Sequence, residues 1–224
     1  MSHFLKEEWR PKDYLEHYYS SEKLVYDEAL IFKYIYRLLS RFKKDNFKDF
    51  LDFGSGPTIH RIVPFINYAK NIYVSDYLPE NLQEIDLWLK DGGNAHNWEK
   101  QIGHILKIGP FDQKKAGDIK SILREKIKGL LQCDAFKGNP LIGFKKKFDF
   151  VTSFYCIDSI TSSKNEWKRA AKNVLTLVKP GGWIMMSALI NTEHYMVGKS
   201  LFPSPNIGKE DFLKVFTANG FDLK

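Results

Sequence analysis

Apolar residues along the chain fall into short continuous runs that are separated by longer segments of helical periodicity. Continuous runs of strand length lie near residues 49–53, 71–75, 129–133, 148–154 and 183–189. Helical patterns follow Pro57 and Pro79 and cover residues 164–177 and 208–219. Strands that alternate with helices indicate β-α-β units around a parallel sheet. The pattern therefore predicts an α/β fold with helices on both faces of the sheet.

Two further helical patterns precede the first predicted strand, at residues 13–19 and 21–42. The second has a wide apolar face that includes Leu24 and Ile35. We expect residues 1–45 to form a helical cap over one end of the sheet and residues 46–224 to form the core of the same single domain. The charged stretch at residues 91–128 is predicted to be an insertion of loop and helix before the third strand.

A glycine turn follows the first predicted strand, in the segment DFGSGPT at residues 52–58. Such a turn lets backbone N–H groups approach a nucleotide-like ligand at the carboxyl end of a strand. A dinucleotide fingerprint requires a third glycine, and Ile59 stands at that position. Asp52 precedes the turn and suits a positively charged ligand better than a pyrophosphate. S-adenosylmethionine carries an ammonium and a sulfonium, so the turn favours it over a dinucleotide.

Acidic residues also end the second and third predicted strands. Asp76 lies about 20 residues beyond Gly56, a spacing at which an acidic side chain meets ribose hydroxyls. We expect Asp134, at the tip of the third strand, to reach the adenine amino group. The segment KPGG at residues 179–182 is predicted to end a helix before the last strand. This ordered set resembles class I S-adenosylmethionine-dependent methyltransferases.

Four segments narrow the resemblance. They are RPKDYLE at residues 10–16 with the following Tyr18 and Tyr19, DFGSGPTI at 52–59, SDY at 75–77 with NLQE at 81–84, and YMVG at 195–198. They look like the nicotinamide, phenylethanolamine and indolethylamine N-methyltransferase family, which also includes a thioether S-methyltransferase. The resemblance covers about residues 10–223. It implies a Rossmann-like class I methyltransferase sheet, S-adenosylmethionine as cofactor with S-adenosylhomocysteine as product, and a small amine or azaheterocycle as acceptor, with thiol or thioether methylation as the close variant.

The resemblance also implies roles for individual residues. Tyr14, Tyr18 and Tyr19 would form a lid, and the alternative is that they only pack their helix onto the domain. The residues implied to bind the cofactor are Tyr14, Tyr19, Asp52, Gly54, Ser55, Gly56, Thr58, Asp76, Tyr77, Asn81, Asp134, Ala135 and Phe154. The residues implied to bind the acceptor are Tyr18, Ser187, His194, Tyr195 and Ser204. Tyr14 and Asp158 are the catalytic candidates, although Asp158 also suits a helix cap.

Ser187 is the main departure from the family pattern. After the fifth strand the nicotinamide-type enzyme has an aspartate that accepts a hydrogen bond from the carboxamide, and this chain has serine. A hydrogen bond to a charged group contributes about 1.5–3 kcal/mol, and one between neutral groups about half as much. The substitution argues against nicotinamide and favours a less polar or different amine.

The carboxyl-terminal segment differs from the expected methyltransferase pattern. A sheet of this class normally finishes with a helix and an antiparallel hairpin. Here residues 208–219 supply the helix, whereas residues 221–224 barely begin a strand. We therefore expect the final hairpin to be missing, either because the chain is shortened or because a partner completes the domain, and we favour shortening.

Composition limits the alternatives. The 34 lysines and arginines exceed the 27 acidic residues, and lysines cluster at residues 114–115, 120–128 and 145–147, which suggests an RNA methyltransferase as one alternative. Since no aromatic residues interleave these runs, a solvated surface is the preferred interpretation and nucleic acid an unlikely partner. A cofactor-binding homologue without catalysis is the other alternative. No apolar run reaches the roughly 18 residues of a membrane span. We expect a cytoplasmic monomer without a metal site or a disulfide.

Overall fold

The computed structural model describes residues 8–21, 26–111 and 115–223, and a parallel sheet lies at its centre. Its five strands are β1 (Phe47–Phe53), β2 (Ala69–Asp76), β3 (Ile127–Gln132), β4 (Phe148–Phe154) and β5 (Val178–Ser187). They are arranged in the order β3-β2-β1-β4-β5, and every neighbouring pair is parallel. The order reverses between β1 and β4, which opens a crevice at the carboxyl ends of these two strands. The predicted α/β sheet is confirmed.

Helices cover both faces of the sheet, as predicted. Alternate side chains of a strand point to opposite faces, so Phe50 and Phe150 enter one hydrophobic core while Leu51 and Val151 enter the other. The α-helices of the described residues are α1 (Pro11–Tyr19), α2 (Tyr26–Leu39), α3 (Pro79–Leu89), α4 (Glu99–Ile108), α5 (Ala116–Lys126), α6 (Lys164–Leu175) and α7 (Lys209–Thr217).

The two amino-terminal helices lie where the cap was predicted. Helix α1 begins at Pro11, two residues before the predicted start, and a proline at the first helical position loses no hydrogen bond. It contacts α3 and the segment after β5, while α2 contacts α4. The early part of the predicted second helix, including Leu24, lies outside the described residues. Helices α4 and α5 occupy most of the predicted insertion and pack against each other.

The helix predicted after Pro57 forms differently. Residues His60–Asn67 form a 3-10 helix, and Pro64 lies inside it. Proline lacks the N–H that an α-helix would use and its ring clashes with the preceding turn, which explains why the α-helical pattern is not completed. The whole segment from His60 to Ile66 is buried, so this helix forms part of the core rather than of the surface.

The start of β5 was predicted wrongly. The segment KPGG lies inside β5 rather than before it, and the strand begins at Val178. Phe148 pairs with Val178 but Phe150 pairs with Trp183, so additional residues bulge from the strand between these pairs. Gly181 has a φ of +73° within this bulge, a conformation that glycine adopts at little cost. The turn predicted from this motif is therefore a distortion within the strand.

An antiparallel hairpin that was not predicted follows β5. It consists of β6 (His194–Val197) and β7 (Ser200–Pro203), which pair with each other and form a sheet separate from the central one. Val197 and Phe202 are buried and pack into the core. After α7, residues 218–223 form no strand. The hairpin places the motif YMVG beside the crevice.

Candidate active site

The glycine turn after β1 forms the floor of a cavity at the reversal point of the sheet. Gly54 and Ser55 both donate backbone hydrogen bonds to the carbonyl of Ser75, at 2.8 and 3.0 Å. Gly54 has a φ of +69°, and a Cβ atom there would lie 2.0 Å from Sγ of Cys156. Gly56 also has a positive φ, and the ring of Tyr14 lies 4.0 Å from where its Cβ would be. Glycine is required at position 54 because a side chain would clash with Cys156 and because the backbone has a positive φ. At position 56 only the positive φ favours glycine.

Asp76 fixes the end of β2 beside this turn. Its Oδ2 accepts a hydrogen bond from N–H of Gly56 at 2.8 Å, and its Oδ1 accepts from N–H of Leu78 and from Nδ2 of Asn81, each at 2.9 Å. Burial raises the pKa of this carboxyl, while the hydrogen bonds oppose that shift. The carboxylate lines the cavity and is held rigidly by three donors. It can therefore present a fixed acceptor to the hydroxyl groups of a ligand.

Aromatic side chains of α1 and of Trp9, two residues before it, cover the cavity. Trp9 donates from Nε1 to Oδ1 of Asn81 at 2.9 Å, and its ring lies 4.9 Å from that of Tyr14. The Tyr14 ring in turn lies 5.0 Å from that of Tyr18, whose hydroxyl donates to the carbonyl of Met196 at 2.6 Å. Burial raises the pKa of Tyr14, so its phenol stays protonated at neutral pH. These contacts join α1 to α3 and to β6 across the opening.

A buried ionic cluster lies at one side of the cavity. Oε1 of Glu28 accepts hydrogen bonds from Tyr19 at 2.7 Å and from Nη2 of Arg61 at 2.9 Å, and it lies 3.0 Å from Nε2 of His60. Burial alone would raise the pKa of Glu28, but the hydrogen bond with His60 and the charge of Arg61 outweigh burial and hold the pKa below its usual range, so the carboxyl is ionised. Burial lowers the pKa of His60 and keeps the ring neutral. The cluster thus holds one negative and one positive charge.

The turn after β4 forms a further wall. Tyr155 adopts a φ of +52°, an unusual conformation for a residue with a side chain and one that is concentrated at functional sites. Its hydroxyl donates to Oδ2 of Asp27 at 3.2 Å, and its ring lies 5.7 Å from the guanidinium carbon of Arg61. This links the end of β4 to α2. Nothing in the local sequence signals the strain, because Tyr155 follows an apolar strand without a glycine.

The opposite wall comes from segments that are distant in the chain. Tyr195 donates from its hydroxyl to the carbonyl of Ser159 at 3.1 Å and stacks on Phe202 at 5.4 Å between ring centroids. Leu189 lines the cavity, and its N–H donates to Oδ2 of Asp158 at 2.8 Å. Burial raises the pKa of Asp158 to about 7. This carboxyl supports the loop after β5 and does not itself line the cavity.

Twelve of the predicted site residues line this cavity. They are Tyr14, Tyr18, Tyr19, Gly54, Ser55, Gly56, Asp76, Tyr77, Asn81, Ala135, Phe154 and Tyr195. They come from α1, from the start of α3, from the ends of β1, β2, β3 and β4, and from β6. The structure thus brings the predicted lid and the predicted cofactor residues into one place.

Three predicted cofactor residues lie outside the lining. Asp52 is buried between strands, and its Oδ1 accepts from Oγ1 of Thr152 at 2.7 Å. Burial raises the pKa of Asp52 to about 6, which disfavours the ionised form that a positively charged ligand needs. Oγ1 of Thr58 donates to the carbonyl of Ser55 at 2.8 Å and closes the glycine turn. Asp134 accepts from N–H of Phe136 at 3.0 Å within its own turn. These three residues shape the backbone around the cavity.

Four predicted acceptor or catalytic residues are also placed elsewhere. Oγ of Ser187 is buried without a hydrogen-bond partner among the described residues, and so is Oγ of Ser204. His194 is exposed at the start of β6. Asp158 is only 1% exposed and bonded to Leu189, as described above. Successive side chains of a strand point to opposite sides, so His194 points to solvent because the adjacent Tyr195 points inward.

Sequence reasoning missed several lining residues. The most informative are Trp9, Asp27, Glu28, Arg61 and Tyr155. None belongs to a short motif, and Glu28 meets Arg61 across 33 positions of the chain. The available signal was a charged residue inside an apolar run, since Arg61 stands between Ile59 and Ile62. A buried charge needs a partner, and this requirement could have singled it out.

The described residues also bear on membrane and metal binding. None of their helices has both the length and the apolar character required to cross a bilayer. Within the same residues, no group of three or more histidine, cysteine, aspartate or glutamate side chains is arranged to hold a metal ion.

Comparison with known proteins gives a consistent result. The family model described as the NNMT/PNMT/TEMT family matches residues 2–224. Human nicotinamide N-methyltransferase is 31% identical over 214 residues, which cover 94% of this chain and 79% of that protein. Mouse indolethylamine N-methyltransferase is 30% identical over 209 residues, covering 92% of this chain and 79% of that protein.

Solved structures share the fold at lower identity. The DhpI-SAM-HEP complex aligns with a TM-score of 0.58 at 15% identity and covers 98% of this chain and 91% of its own. An S-adenosylmethionine-dependent methyltransferase from Clostridium acetobutylicum aligns with a TM-score of 0.52 at 13% identity, covering 96% and 82%. The predicted Rossmann-like class I methyltransferase fold is confirmed.

Proposed function

Because the chain belongs to the NNMT/PNMT/TEMT family, we propose that it transfers a methyl group from S-adenosylmethionine to the nitrogen of a small amine or azaheterocycle. The observation that supports this most strongly is the cavity in which the glycine turn, the fixed carboxylate of Asp76 and the aromatic residues of α1 meet. Each of the three features matches a different part of the methyl donor.

The residues present fit this donor. The turn at Gly54 and Gly56 leaves no side chain between the backbone and the cavity, which suits close approach of the donor's methionyl part. Asp76 is positioned to accept hydrogen bonds from ribose hydroxyls, and Ala135 lines the region where an adenine would lie. Trp9, Tyr14 and Tyr18 offer aromatic faces, which attract a cation. No dinucleotide-type third glycine is present, in agreement with a smaller ligand.

Once bound, S-adenosylmethionine would supply an electrophilic methyl group on a positively charged sulfur. The protein then needs chiefly to align the acceptor nitrogen, exclude water and keep that nitrogen unprotonated. The aromatic cover from α1 excludes water. Burial raises the pKa values of Tyr14, Tyr19 and Tyr195, so these phenols stay protonated and serve as hydrogen-bond donors rather than as bases.

The acceptor is proposed to be less polar than nicotinamide. The wall opposite the glycine turn contains Ile160, Leu189 and Tyr195, which are apolar or aromatic. Ser187, which stands where the nicotinamide-type enzyme has aspartate, lies outside the lining and presents no hydroxyl to the cavity. A flat, weakly polar amine suits this wall, and a thioether or thiol acceptor is the close variant.

Contacts of the basic residues disfavour the RNA alternative. Lys120 and Arg124 both pair with Asp91, Lys126 donates to the carbonyls of Ile66 and Ala69, and Lys146 pairs with Asp49. These cations are engaged within the protein, and phosphate binding would have to break such contacts. A cytoplasmic monomer stays a prediction.

Turnover against a panel of acceptors tests the proposed function. Purified protein is incubated with S-adenosylmethionine and a series of primary amines, pyridines, indole-ethylamines and thioethers, and formation of S-adenosylhomocysteine is measured. We expect methylation of at least one apolar amine and weaker methylation of nicotinamide. Donor binding without turnover of any acceptor would instead indicate a binding homologue. RNA methylation with steep salt dependence would favour the other alternative.

A further inference from the structure

Arg61 is a buried cation on the cavity wall whose donors are only partly used. Its side chain is 7% exposed. Nη2 donates to Oε1 of Glu28 at 2.9 Å and to the hydroxyl of Tyr19 at 3.1 Å, while Nη1 reaches the carbonyl of Phe154 at 3.4 Å. A guanidinium has five N–H donors, and Nε is buried without a partner among the described residues. The group therefore has capacity for a further acceptor.

The two carboxylate oxygens of Glu28 also differ in their hydrogen bonding. Oε1 of Glu28 serves Tyr19, His60 and Arg61, whereas Oε2 is buried without a partner in the described part of the chain. A buried ion pair is weak evidence for stability, because desolvation can offset the attraction between the charges. An incompletely bonded pair on the wall of a ligand cavity is better explained by a charged ligand that completes it.

The position of Arg61 in the sheet indicates which part of the ligand would complete the ion pair. Phe154 ends β4, the strand next to β1, and Arg61 follows the glycine turn by five residues. The adenosine features, Asp76 and Ala135, lie at the ends of β2 and β3 on the other side of β1. A donor that places its ribose at Asp76 therefore directs its amino-acid end toward β4. That end carries an α-ammonium and an α-carboxylate. Glu28 offers a negative charge opposite to the ammonium, and Arg61 offers a positive charge opposite to the carboxylate.

We propose that Arg61 binds the α-carboxylate of the methyl donor, and that Glu28 is a positioning residue that orients the guanidinium. This inference rests on the proposed function, since it takes S-adenosylmethionine as the ligand. Tyr19 supports the same arrangement, because its hydroxyl bonds both members of the pair. The competing explanation is that Arg61 only neutralises Glu28 and never touches the ligand.

The test compares two ligands that differ in a single group. S-adenosylhomocysteine and its decarboxylated form, which keeps the amine but lacks the α-carboxylate, are titrated calorimetrically into the full chain. The measured quantity is the preference, defined as the Kd of the decarboxylated ligand divided by that of S-adenosylhomocysteine. A charge-assisted hydrogen bond predicts a preference of about tenfold or more in the unaltered protein.

Three variants separate binding from structural support. Because Arg61→Gln alone would leave Glu28 buried and uncompensated and would strongly destabilise the protein, the double variant Glu28→Gln/Arg61→Gln removes both charges together. Glu28→Gln alone keeps the guanidinium, and Arg169→Gln removes an exposed arginine that pairs with Glu166 on the surface. Thermal unfolding of each variant confirms that it is folded.

The expected results are specific to the carboxylate. Arg169→Gln keeps the preference at about tenfold or more, and the double variant reduces it to within about twofold of unity. Glu28→Gln keeps the guanidinium but removes the carboxylate that orients it, so its preference lies between these two values. A double variant that retains the full preference would overturn the inference, as would an unaltered protein without any preference. If the unaltered protein binds neither ligand, the proposed function itself fails.

Discussion

The two walls of the cavity are built in different ways. On the wall at the ends of β1 and β2, Asp76 takes three hydrogen bonds from residues within about 20 positions along the chain. On the wall at the ends of β4 and β5, Tyr195 bonds to Ser159, and Tyr18 bonds to Met196 across 178 positions. The wall that contains Asp76 is thus built by local motifs, whereas the wall proposed to face the acceptor depends on the assembly of distant segments.

Buried polar atoms around the site differ in how completely they are hydrogen-bonded, and Oδ2 of Asp52, at the end of β1, has no partner among the described residues. Every oxygen of the Asp76 carboxylate has a donor, but Oγ of Ser187, Oγ of Ser204 and Oδ1 of Asp158 are buried without one among the described residues. Unsatisfied buried groups cost free energy and are uncommon in native structures. They lie outside the cavity lining, so ordered water rather than the acceptor is the partner available to them.

Gly54→Ala is expected to have the largest effect, on the donor wall. The new Cβ would lie 2.0 Å from Sγ of Cys156, in a backbone conformation of positive φ that alanine rarely adopts. We expect the free energy of unfolding to fall by about 2–5 kcal/mol and S-adenosylhomocysteine binding to be lost. Chemical denaturation and calorimetry provide the two measurements.

Gly103→Ala is the matched control for that change. Gly103 lies inside α4, and a Cβ there would meet nothing within 4 Å. Alanine favours helix over glycine by about 0.5–1 kcal/mol, so this variant should be slightly more stable and should bind the ligand normally. Equal behaviour of the two alanine variants would contradict the role assigned to the turn.

Asp158→Asn tests the acceptor wall through its pH dependence. Burial raises the pKa of Asp158 from 3.8 to about 7, so the folded state holds its proton more tightly than the unfolded state does. Its contribution to stability is therefore full below about pH 4 and is lost as the pH rises toward 7. The asparagine variant should be more stable than the unaltered protein at pH 8, by about 2–4 kcal/mol, but not at pH 4.

Denaturation at pH 4, 6 and 8 measures this difference. The variant also tests the predicted catalytic role of Asp158, because a side chain that only supports Leu189 predicts a modest change in kcat. A difference in stability that does not depend on pH would show that the carboxyl has the same pKa in the folded and unfolded states. A loss of kcat with unchanged stability would restore Asp158 to the chemistry.

Asp76→Asn is expected to weaken cofactor binding. The amide cannot accept all three hydrogen bonds that the carboxylate now receives, and it offers a poorer acceptor to ribose hydroxyls. Affinity for S-adenosylhomocysteine should fall by about 1–3 kcal/mol. The control is Asp134→Asn, whose carboxylate accepts only a local turn bond and lies outside the lining. A larger loss in the control would reverse the roles of the two aspartates.

Tyr18→Phe should have the smallest effect. It removes the hydrogen bond from the Tyr18 hydroxyl to the carbonyl of Met196, which joins α1 to the hairpin. Loss of this hydrogen bond should weaken acceptor binding by about 0.5–1.5 kcal/mol and raise KM for the acceptor accordingly. The affinity for S-adenosylhomocysteine should be retained. Tyr34→Phe, at a side chain that is 59% exposed, is the control. An unchanged KM would show that this hydrogen bond does not position the lid.

The sequence allowed most of the sheet to be predicted, because its strands are continuous apolar runs with local end signals. All five predicted strands are present, and β4 has the predicted bounds. The bulge in β5 was missed because Pro180 and Gly181 normally stop an element, and only pairing with β4 reveals that the strand continues through them. The hairpin β6–β7 was missed because it is short and half-exposed.

The residues of the candidate site also fall into those that the sequence could predict and those that it could not. Gly54, Gly56 and Asp76 could be predicted because spacing along the chain fixes their positions at strand ends. Glu28 and Arg61 could not, because their meeting depends on how α2 packs against the 3-10 helix. Asp52 was assigned to the ligand from its place in a motif, whereas its side chain points into the sheet toward Thr152.

The proposed function requires this cavity to bind a positively charged methyl donor. Calorimetric titration of the folded chain with S-adenosylhomocysteine, and with NAD as the control nucleotide, tests it most directly. We predict one binding site for S-adenosylhomocysteine, competition by S-adenosylmethionine and no binding of NAD. A folded protein that binds NAD, or that has no affinity for S-adenosylhomocysteine, would contradict the account.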